Sequence, residues 1–499
     1  MRSNLKNLVF LRIIIAVTFL FYISSCGRNP VTGKKELQLM SESQEKALGL
    51  QSDPQILSEF GLYPDATLQA FIQAKGDSMA KISHRPNLGF QFKVLDSDVI
   101  NAFAVPGGYV YFTRGIMAHF NNEAQLMGVL GHEIGHVTAK HANEQYTKQT
   151  LAQIGLIAGM IFSPQFRQFG DIANTGMQLL FLKFSRDNET QSDQLGVEYS
   201  SKVGYDAHHM ADFFKTLSRV SEKAGASIPS FLSTHPDPGD RFNKVNAKAT
   251  EMQKTFPKAT KVERNSYLKK LDGMVYGEDP RQGYKENNMF YHPELKFQFP
   301  TPADWAYQNS PSKVQFGSKD KKALMFLSLS EEKTLDAAAR AVNTNYKLQS
   351  VRQDYKSING LEAIYMLGDL PPEQAATVQE KEANTMRVTT TLIQYNNLIY
   401  RIHGIATKPT HAKYESTFLN TMNGFRVLSD QSKINVQPDR IAIQEVKKSL
   451  SLSDALTSLN QDSKRFDELA LLNGMDIKQK IEPGTLLKTI SKNNKSTKP

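Results

Sequence analysis

The chain of 499 residues has a single cysteine, Cys26, and a single tryptophan, Trp305. One cysteine excludes an internal disulfide and a cysteine metal cluster, so neither staples the fold. No dense block of lysine or arginine interrupts the body, although the formal net charge is +10. With no aromatic-basic pattern either, nucleic acid is not an expected partner. The spread charge fits a solvated surface that also tolerates anionic lipid headgroups or cell-wall polymers. Beyond the N-terminus no apolar run is long enough to cross a bilayer. A hydrophobic fraction of 40% and a charged fraction of 22% exclude broad disorder. The length implies two to four domains.

What is present starts at the N-terminus. Arg2, Lys6 and Arg12 precede the apolar or neutral run Ile13–Ile23, and Ser24-Ser25-Cys26-Gly27 follows. This arrangement reads as a signal peptide over residues 1–25. Small residues directly before the cysteine resemble the bacterial lipobox, which implies cleavage ahead of Cys26 and lipidation of its thiol. More than one acyl chain gives durable membrane anchoring.

Three units are expected in the mature chain. Residues 26–280 are largely helical, with one extended stretch from Ala102 to Thr113 around Pro106-Gly107-Gly108. Residues 285–430 are strand-rich. Their clearest hairpin joins Arg387–Tyr395 to Leu398–Ile405 through Asn396-Asn397. With helices at 334–342 and 414–422 this is an α+β domain resembling the PsbP-like fold, and Trp305 is assigned to its core. Residues 436–490 read as strand, helix, helix, strand. Glu468–Gly474 and Pro483–Leu487 resemble a LysM module, which implies either peptidoglycan binding or a βααβ unit that packs on its neighbours. Residues 491–499 are a polar, basic tail expected to be disordered. Leu151–Phe162 is apolar and reads as a core helix, a lid or a membrane-facing element.

The chemistry centres on Gly131-His132-Glu133-Ile134-Gly135-His136, in a helix continued back through Glu123–Leu130. Residues four apart share a helix face, so His132 and His136 can bind one metal ion. Glu133 sits about 100° round, beside the open position, where a carboxylate base acts on water. A catalytic zinc keeps three protein ligands and a place for water. A histidine six residues after His136 is ruled out, because Ala142 stands there. His141, five residues on, is expected to point away from the ligand face and pack locally. Downstream, Glu189 and Asp193 lie four apart. They read as a zinc ligand and a carboxylate that orients a ligand imidazole, or, taken alone, as a solvated acidic helix face.

Four segments together resemble the peptidase family that includes the CAAX prenyl proteases and the HtpX and BepA peptidases. They are Asn101–Gly108, the H-E-x-x-H helix, Ser185-Arg186 through Asp193, and Ser233-Thr234-His235-Pro236 with Arg241. Asn29-Pro30-Val31-Thr32-Gly33 resembles the opening of the lipoprotein branch. The resemblance covers residues 28–280, with Ser192 where the family usually has alanine. It implies a mainly α, gluzincin-type domain with a small β-sheet and one zinc per chain held by His132, His136 and Glu189. It also implies Glu133 as the catalytic base, Asp193 behind the ligands, and Asn101, Ala102, Phe103 and Ala104 as a strand that pairs with substrate backbone. His235 is expected to approach the zinc or the oxyanion from a loop, with Arg241 supporting that loop or the oxyanion. The implied activity is a membrane-anchored zinc metalloendopeptidase acting on envelope proteins at the periplasmic face of the outer membrane. An envelope chaperone or assembly factor using the same cleft is the alternative, and a peptidoglycan-associated structural lipoprotein is a third.

Overall fold

The computed structural model describes residues 26–152, 184–224, 230–236, 240–371 and 382–492. The expected signal peptide, most of the apolar Leu151–Phe162 segment and the basic tail beyond residue 492 lie outside the described residues.

The chain enters through a two-stranded ribbon, β1 (Cys26–Arg28) against β2 (Lys35–Leu37). Helix α1 (Glu42–Phe60) starts on a capping box, in which the Ser41 side chain and Gln44 satisfy each other's backbone donors. Helix α2 (Ala66–Ala80) follows. A three-stranded sheet is then built from β3 (Gln91–Leu95), β4 (Ala102–Val105) and β5 (Tyr109–Thr113) in the order β3-β5-β4. β3 runs parallel to β5, while β4 is antiparallel to it and stands at the edge. The β4–β5 turn needs glycine: Gly107 has φ +89°, and a Cβ there would lie 2.7 Å from the Glu45 carbonyl oxygen. The ribbon and β3 are additions to the expected largely helical unit. β3 is short and its partner is not the next strand, so no hairpin signal marks it.

After α3 (Arg114–His119), helix α4 (Glu123–Thr138) is capped by Asn122 and buried along its whole length. Its apolar residues join the main core, which makes it a central helix, and its His132, Glu133 and His136 face meets buried polar groups. Helices α5 (His141–Ala152), α6 (Arg186–Lys202), α7 (His208–Ala224), α8 (Ser230–Thr234), α9 (Arg241–Thr255) and α10 (Arg264–Leu271) complete this unit. Helix α6 lies so close to α4 that a Cβ on Gly196 would come within 2.8 Å of the Gly128 carbonyl oxygen.

The strand-rich unit begins with β6 (Tyr284–Glu286), β7 (Met289–His292) and β8 (Phe297–Pro300). Then come β9 (Ala306–Asn309), β10 (Lys313–Gly317), β11 (Ala323–Leu329), α11 (Leu335–Asn345), β12 (Gln349–Ile358), β13 (Leu361–Leu370), β14 (Met386–Tyr395), β15 (Leu398–Thr407), α12 (His411–Asn423) and β16 (Arg426–Val427). Its main sheet is antiparallel, ordered β12-β13-β14-β15-β11-β10-β9. Helices α11 and α12 bury different apolar sets against it. The β14–β15 hairpin turns through Asn396 and Asn397, both in the left-handed region, as a two-residue turn requires. Trp305 packs against Tyr414 and Phe418 at the edge of this core.

The last unit pairs β17 (Arg440–Glu445) with β20 (Leu486–Ser491) and β18 (Leu450–Ser451) with β19 (Lys480–Ile481), around α13 (Leu452–Ser458) and α14 (Phe466–Leu472). It does not stand apart. Ile441, Leu452, Leu456, Leu469 and Leu487 share one apolar core with residues of α3, α4 and α7. Lys488, fully buried, donates to the carbonyls of Ala118 (2.7 Å) and Phe120 (3.0 Å) at the end of α3. Those are orphan carbonyls at a helix C-terminus, where a cation is favoured. Burial nevertheless pushes the Lys488 ammonium pKa well down. Of the two sequence readings of this unit, packing on its neighbours is what the structure displays.

Candidate metal centre

Helix α4 carries His132 and His136 one turn apart, with their Nε2 atoms 3.0 Å from each other. Helix α6 presents Glu189 from its first turn, its start held by a capping box between Ser185 and Asn188. The Glu189 carboxylate lies 3.6 Å from His132 Nε2 and 3.4 Å from His136 Nε2. His235 follows the single turn of α8, where its N–H donates to the Phe231 carbonyl at 2.8 Å. Its Nδ1 comes 3.1 Å from Glu189 and 3.3 Å from His132 Nε2. The expected loop is thus a short helical turn, with the Phe231 ring stacked on the imidazole. One donor atom from each of these four residues falls within a 4.8 Å spread.

The set fits zinc. Ligands about 2.0–2.1 Å from the ion stand roughly 3.3 Å apart on the edges of a tetrahedron, and the spacings above bracket that value. All four side chains are buried, and Glu189 Oε2 and His235 Nε2 are polar atoms without a hydrogen-bond partner. Buried polar atoms left in this state call for a bound partner. Burial drives the pKa values of His132 and His136 well below the usual range, so both imidazoles are neutral, as ligation requires. Burial alone would raise Glu189, but His235 and the hydrogen bonds from His136 and His235 outweigh it and hold the group ionised.

Asp193 stands one turn beyond Glu189. Its Oδ1 is 2.9 Å from His132 Nδ1, the nitrogen turned away from the cluster. A carboxylate there holds the proton on Nδ1 and leaves Nε2 free for the metal. Arg241, first residue of α9, grips both oxygens of Asp193, at 2.6 and 2.8 Å. Its guanidinium lies over the Phe214 ring at 3.8 Å. The anchor it supplies is to Asp193, and one nitrogen also reaches within 3.3 Å of Glu189. Burial lifts the Asp193 pKa to about 6 against the pull of Arg241.

Glu133 is wholly buried and neither carboxylate oxygen has a hydrogen-bond partner. His235 comes near it, with Nε2 at 3.7 Å. Burial, reinforced by the Glu189 charge, raises its pKa to about 7 against the opposing His235. A carboxyl poised near neutrality is suited to taking and giving a proton. Beside it, β4 is an edge strand of its sheet, and Ala104 lines a small cavity with His136 and Phe184. Ala102 and Phe103 are buried on opposite faces of β4, and Asn101 lies just ahead of it, its carbonyl accepting from Thr113.

His141 is the residue that sequence reasoning misplaced. Its Nδ1 is 3.0 Å from His136 Nδ1, and its Nε2 is 2.8 Å from Gln191 Oε1. The error came from extending α4 by five residues. Helix α4 stops at Thr138, Ala139 caps it, and Lys140 takes φ +59°, so the chain reverses and α5 restarts at His141. Ser192, the departure from the usual alanine, puts its Oγ 3.2 Å from the same His141 Nδ1. A third histidine so soon after the motif was the available signal.

The segment carrying this cluster, residues 66–249, matches the model of peptidase family M48. This segment is therefore similar to an M48 peptidase domain. Among curated relatives, it is 29% identical over 259 residues to the beta-barrel assembly-enhancing protease of Yersinia pestis, covering 50% of this chain and 52% of that one. It is 28% identical over 236 residues to the mitochondrial metalloendopeptidase OMA1 of Arabidopsis thaliana, covering 47% and 46%. The chain thus spans about half the length of the curated relatives it matches. Among solved structures, cyanobacterial PsbP from Synechocystis matches 28% of this chain and 91% of its own, at 13% identity and a TM-score of 0.23. Yeast Mog1p matches 30% and 99%, at 12% identity and a TM-score of 0.21.

Proposed function

We propose that the protein is a zinc metalloendopeptidase that cleaves misassembled cell-envelope proteins. The observation that carries this reading is the buried cluster of His132, His136, Glu189 and His235 with the unpartnered Glu133 carboxyl beside it. His132, His136 and Glu189 would hold the zinc. Bound there, zinc lowers the pKa of a water and polarises the scissile carbonyl. Glu133 takes the proton of the attacking water and passes it to the leaving amine, a role its raised pKa supports. Asp193, clamped by Arg241, keeps His132 in the ligating tautomer. The free edge of β4 pairs with the extended substrate and aligns its backbone across the cluster.

His235 occupies the fourth corner in this conformation, where a water would otherwise stand. Four protein ligands describe a closed site, so turnover requires the α8 turn to withdraw. Acylation of Cys26 anchors the protein at the periplasmic face of the outer membrane. The printed name of the Yersinia relative, a beta-barrel assembly-enhancing protease, favours outer-membrane proteins as substrates. Peptidoglycan binding by residues 436–490 remains part of the proposal only as a secondary contact, tested by cell-wall pull-down with and without that unit.

The deciding experiment uses purified mature protein, unfolded casein and Glu133→Gln. The wild type should cleave casein and contain one zinc per chain, and the variant should keep the zinc while losing at least a hundredfold in rate. Equal cleavage by both would remove Glu133 from the chemistry. Casein held but never cut by zinc-loaded wild type would favour the chaperone reading.

A further inference from the structure

Between Cys26 and the first long helix there is no slack. β1 begins at Cys26, which pairs in register with Leu37 of β2. Asn29, buried, closes the ribbon: its Oδ1 accepts from the N–H groups of Val31 (2.9 Å) and Thr32 (3.2 Å). Its Nδ2 donates to Glu36 at 3.1 Å and to the Ala139 carbonyl at 3.0 Å. Ala139 is the C-cap of α4, three residues past the ligand His136. The next residues are fastened too. Lys140 donates to Gln38 at 3.1 Å, the Leu39 N–H to Thr147 at 3.2 Å, and Asn143 to the Met40 carbonyl at 2.7 Å. From Cys26 to Ser41 the arm is therefore stitched to the end of the zinc helix and to α5.

These contacts bound a distance. Three residues of extended chain span at most about 11 Å. One side-chain contact to Ala139, less than one helical turn back to His136 and the length of its side chain bring the total to roughly 30 Å. The metal centre lies within that distance of the Cys26 backbone. Arg28, Lys34 and Lys35 are all exposed on the ribbon, so the face nearest the anchor is basic and suits anionic headgroups.

We propose that the arm is a rigid spacer that holds the metal centre at a short, fixed height above an anionic bilayer, so that the substrates are membrane-proximal segments of envelope proteins. This rests on the peptidase and lipid-anchor readings above. An extended substrate rises about 3.3 Å per residue, so a stretch that leaves the bilayer extended meets the cluster within roughly ten residues of the surface, and a bond further out meets it only when its chain folds back.

The test uses the full mature lipoprotein on phosphatidylethanolamine–phosphatidylglycerol vesicles. The same vesicles carry a lipid-tethered casein-derived peptide whose cleavable stretch starts 5, 20 or 40 residues from the lipid. The near site should be cut at least tenfold faster than the 40-residue one. A 30-residue Gly/Ser insertion between Cys26 and Gly27 leaves the Asn29 clamp intact. It should bring the three rates within about twofold while soluble casein is cut as before. Equal rates at all three distances by the uninterrupted protein, vesicle-bound and active on casein, would overturn the spacer. Failure to cut casein at all would instead overturn the peptidase reading. Mature protein that never partitions onto vesicles would overturn the anchor, and the spacer with it.

Discussion

Replacing His141 by phenylalanine should loosen the zinc without dismantling the site. When His136 ligates through Nε2, its Nδ1 carries the proton and must donate. The atom facing it is His141 Nδ1 at 3.0 Å, which then accepts, leaving His141 Nε2–H to donate to Gln191 at 2.8 Å. That assignment follows from hydrogen-bond logic, since one tautomer satisfies both contacts. Phenylalanine keeps much of the ring volume but offers no acceptor, so the His136 N–H is left unpaired in a buried site. An unsatisfied buried donor costs about 1–3 kcal/mol, which is roughly a 5- to 150-fold loss of zinc affinity. Oriented partners of ligand histidines are worth about 10–100-fold, in the same range. Competition against a chromophoric chelator measures the affinity directly. Gln191→Leu should give a smaller loss, because His141 stays as an acceptor but its tautomer is no longer held. An affinity for the His141→Phe variant within twofold of wild type would show that His136 needs no partner there and refute the reasoning.

Four further outcomes are expected. Glu189→Ala should abolish zinc binding, whereas Asp193→Ala should weaken it about 10–100-fold; equal small effects, read by the same competition, would remove Glu189 from the ligand set. His235→Ala should raise casein turnover, because it opens the fourth corner beside Glu189; a large fall would assign the imidazole to the oxyanion instead. In metal-stripped protein, the Glu133 pKa of about 7 lies above the unfolded value near 4.5, so the fold prefers the protonated form. Its contribution is complete below pH 4.5 and lost as pH rises through 7. From pH 5 to 8, denaturant titration should therefore find wild type losing about 2.5 kcal/mol relative to Glu133→Gln, and parallel curves would contradict it. Leu456→Ala, fully buried in the shared core, should cost about 2–5 kcal/mol and lower the unfolding temperature of the metal centre together with that of residues 436–490; an unchanged transition for zinc release would mean that the last unit is separable.

The sequence by itself determined what local chain geometry dictates. Four-residue spacing put His132 and His136 on one helix face, because α-helical pitch does so in any surroundings. Asn396-Asn397 marked the β14–β15 hairpin, because a two-residue turn needs positive φ at both positions and asparagine tolerates it. Tertiary structure decided everything that depends on two segments meeting. Glu189 reaches the histidines because Gly131, Gly135 and Gly196 let two backbones approach almost to contact, and neither helix reveals its neighbour. His235 arrives from 99 residues beyond His136, on a helix of one turn too short to announce itself. His141 enters the site because the helix breaks at Lys140, and a φ of +59° on a lysine has no signature in composition or period. The last unit packs on the peptidase core because its apolar faces found partners over 200 residues away, and burial of that kind is a property of the folded surface alone.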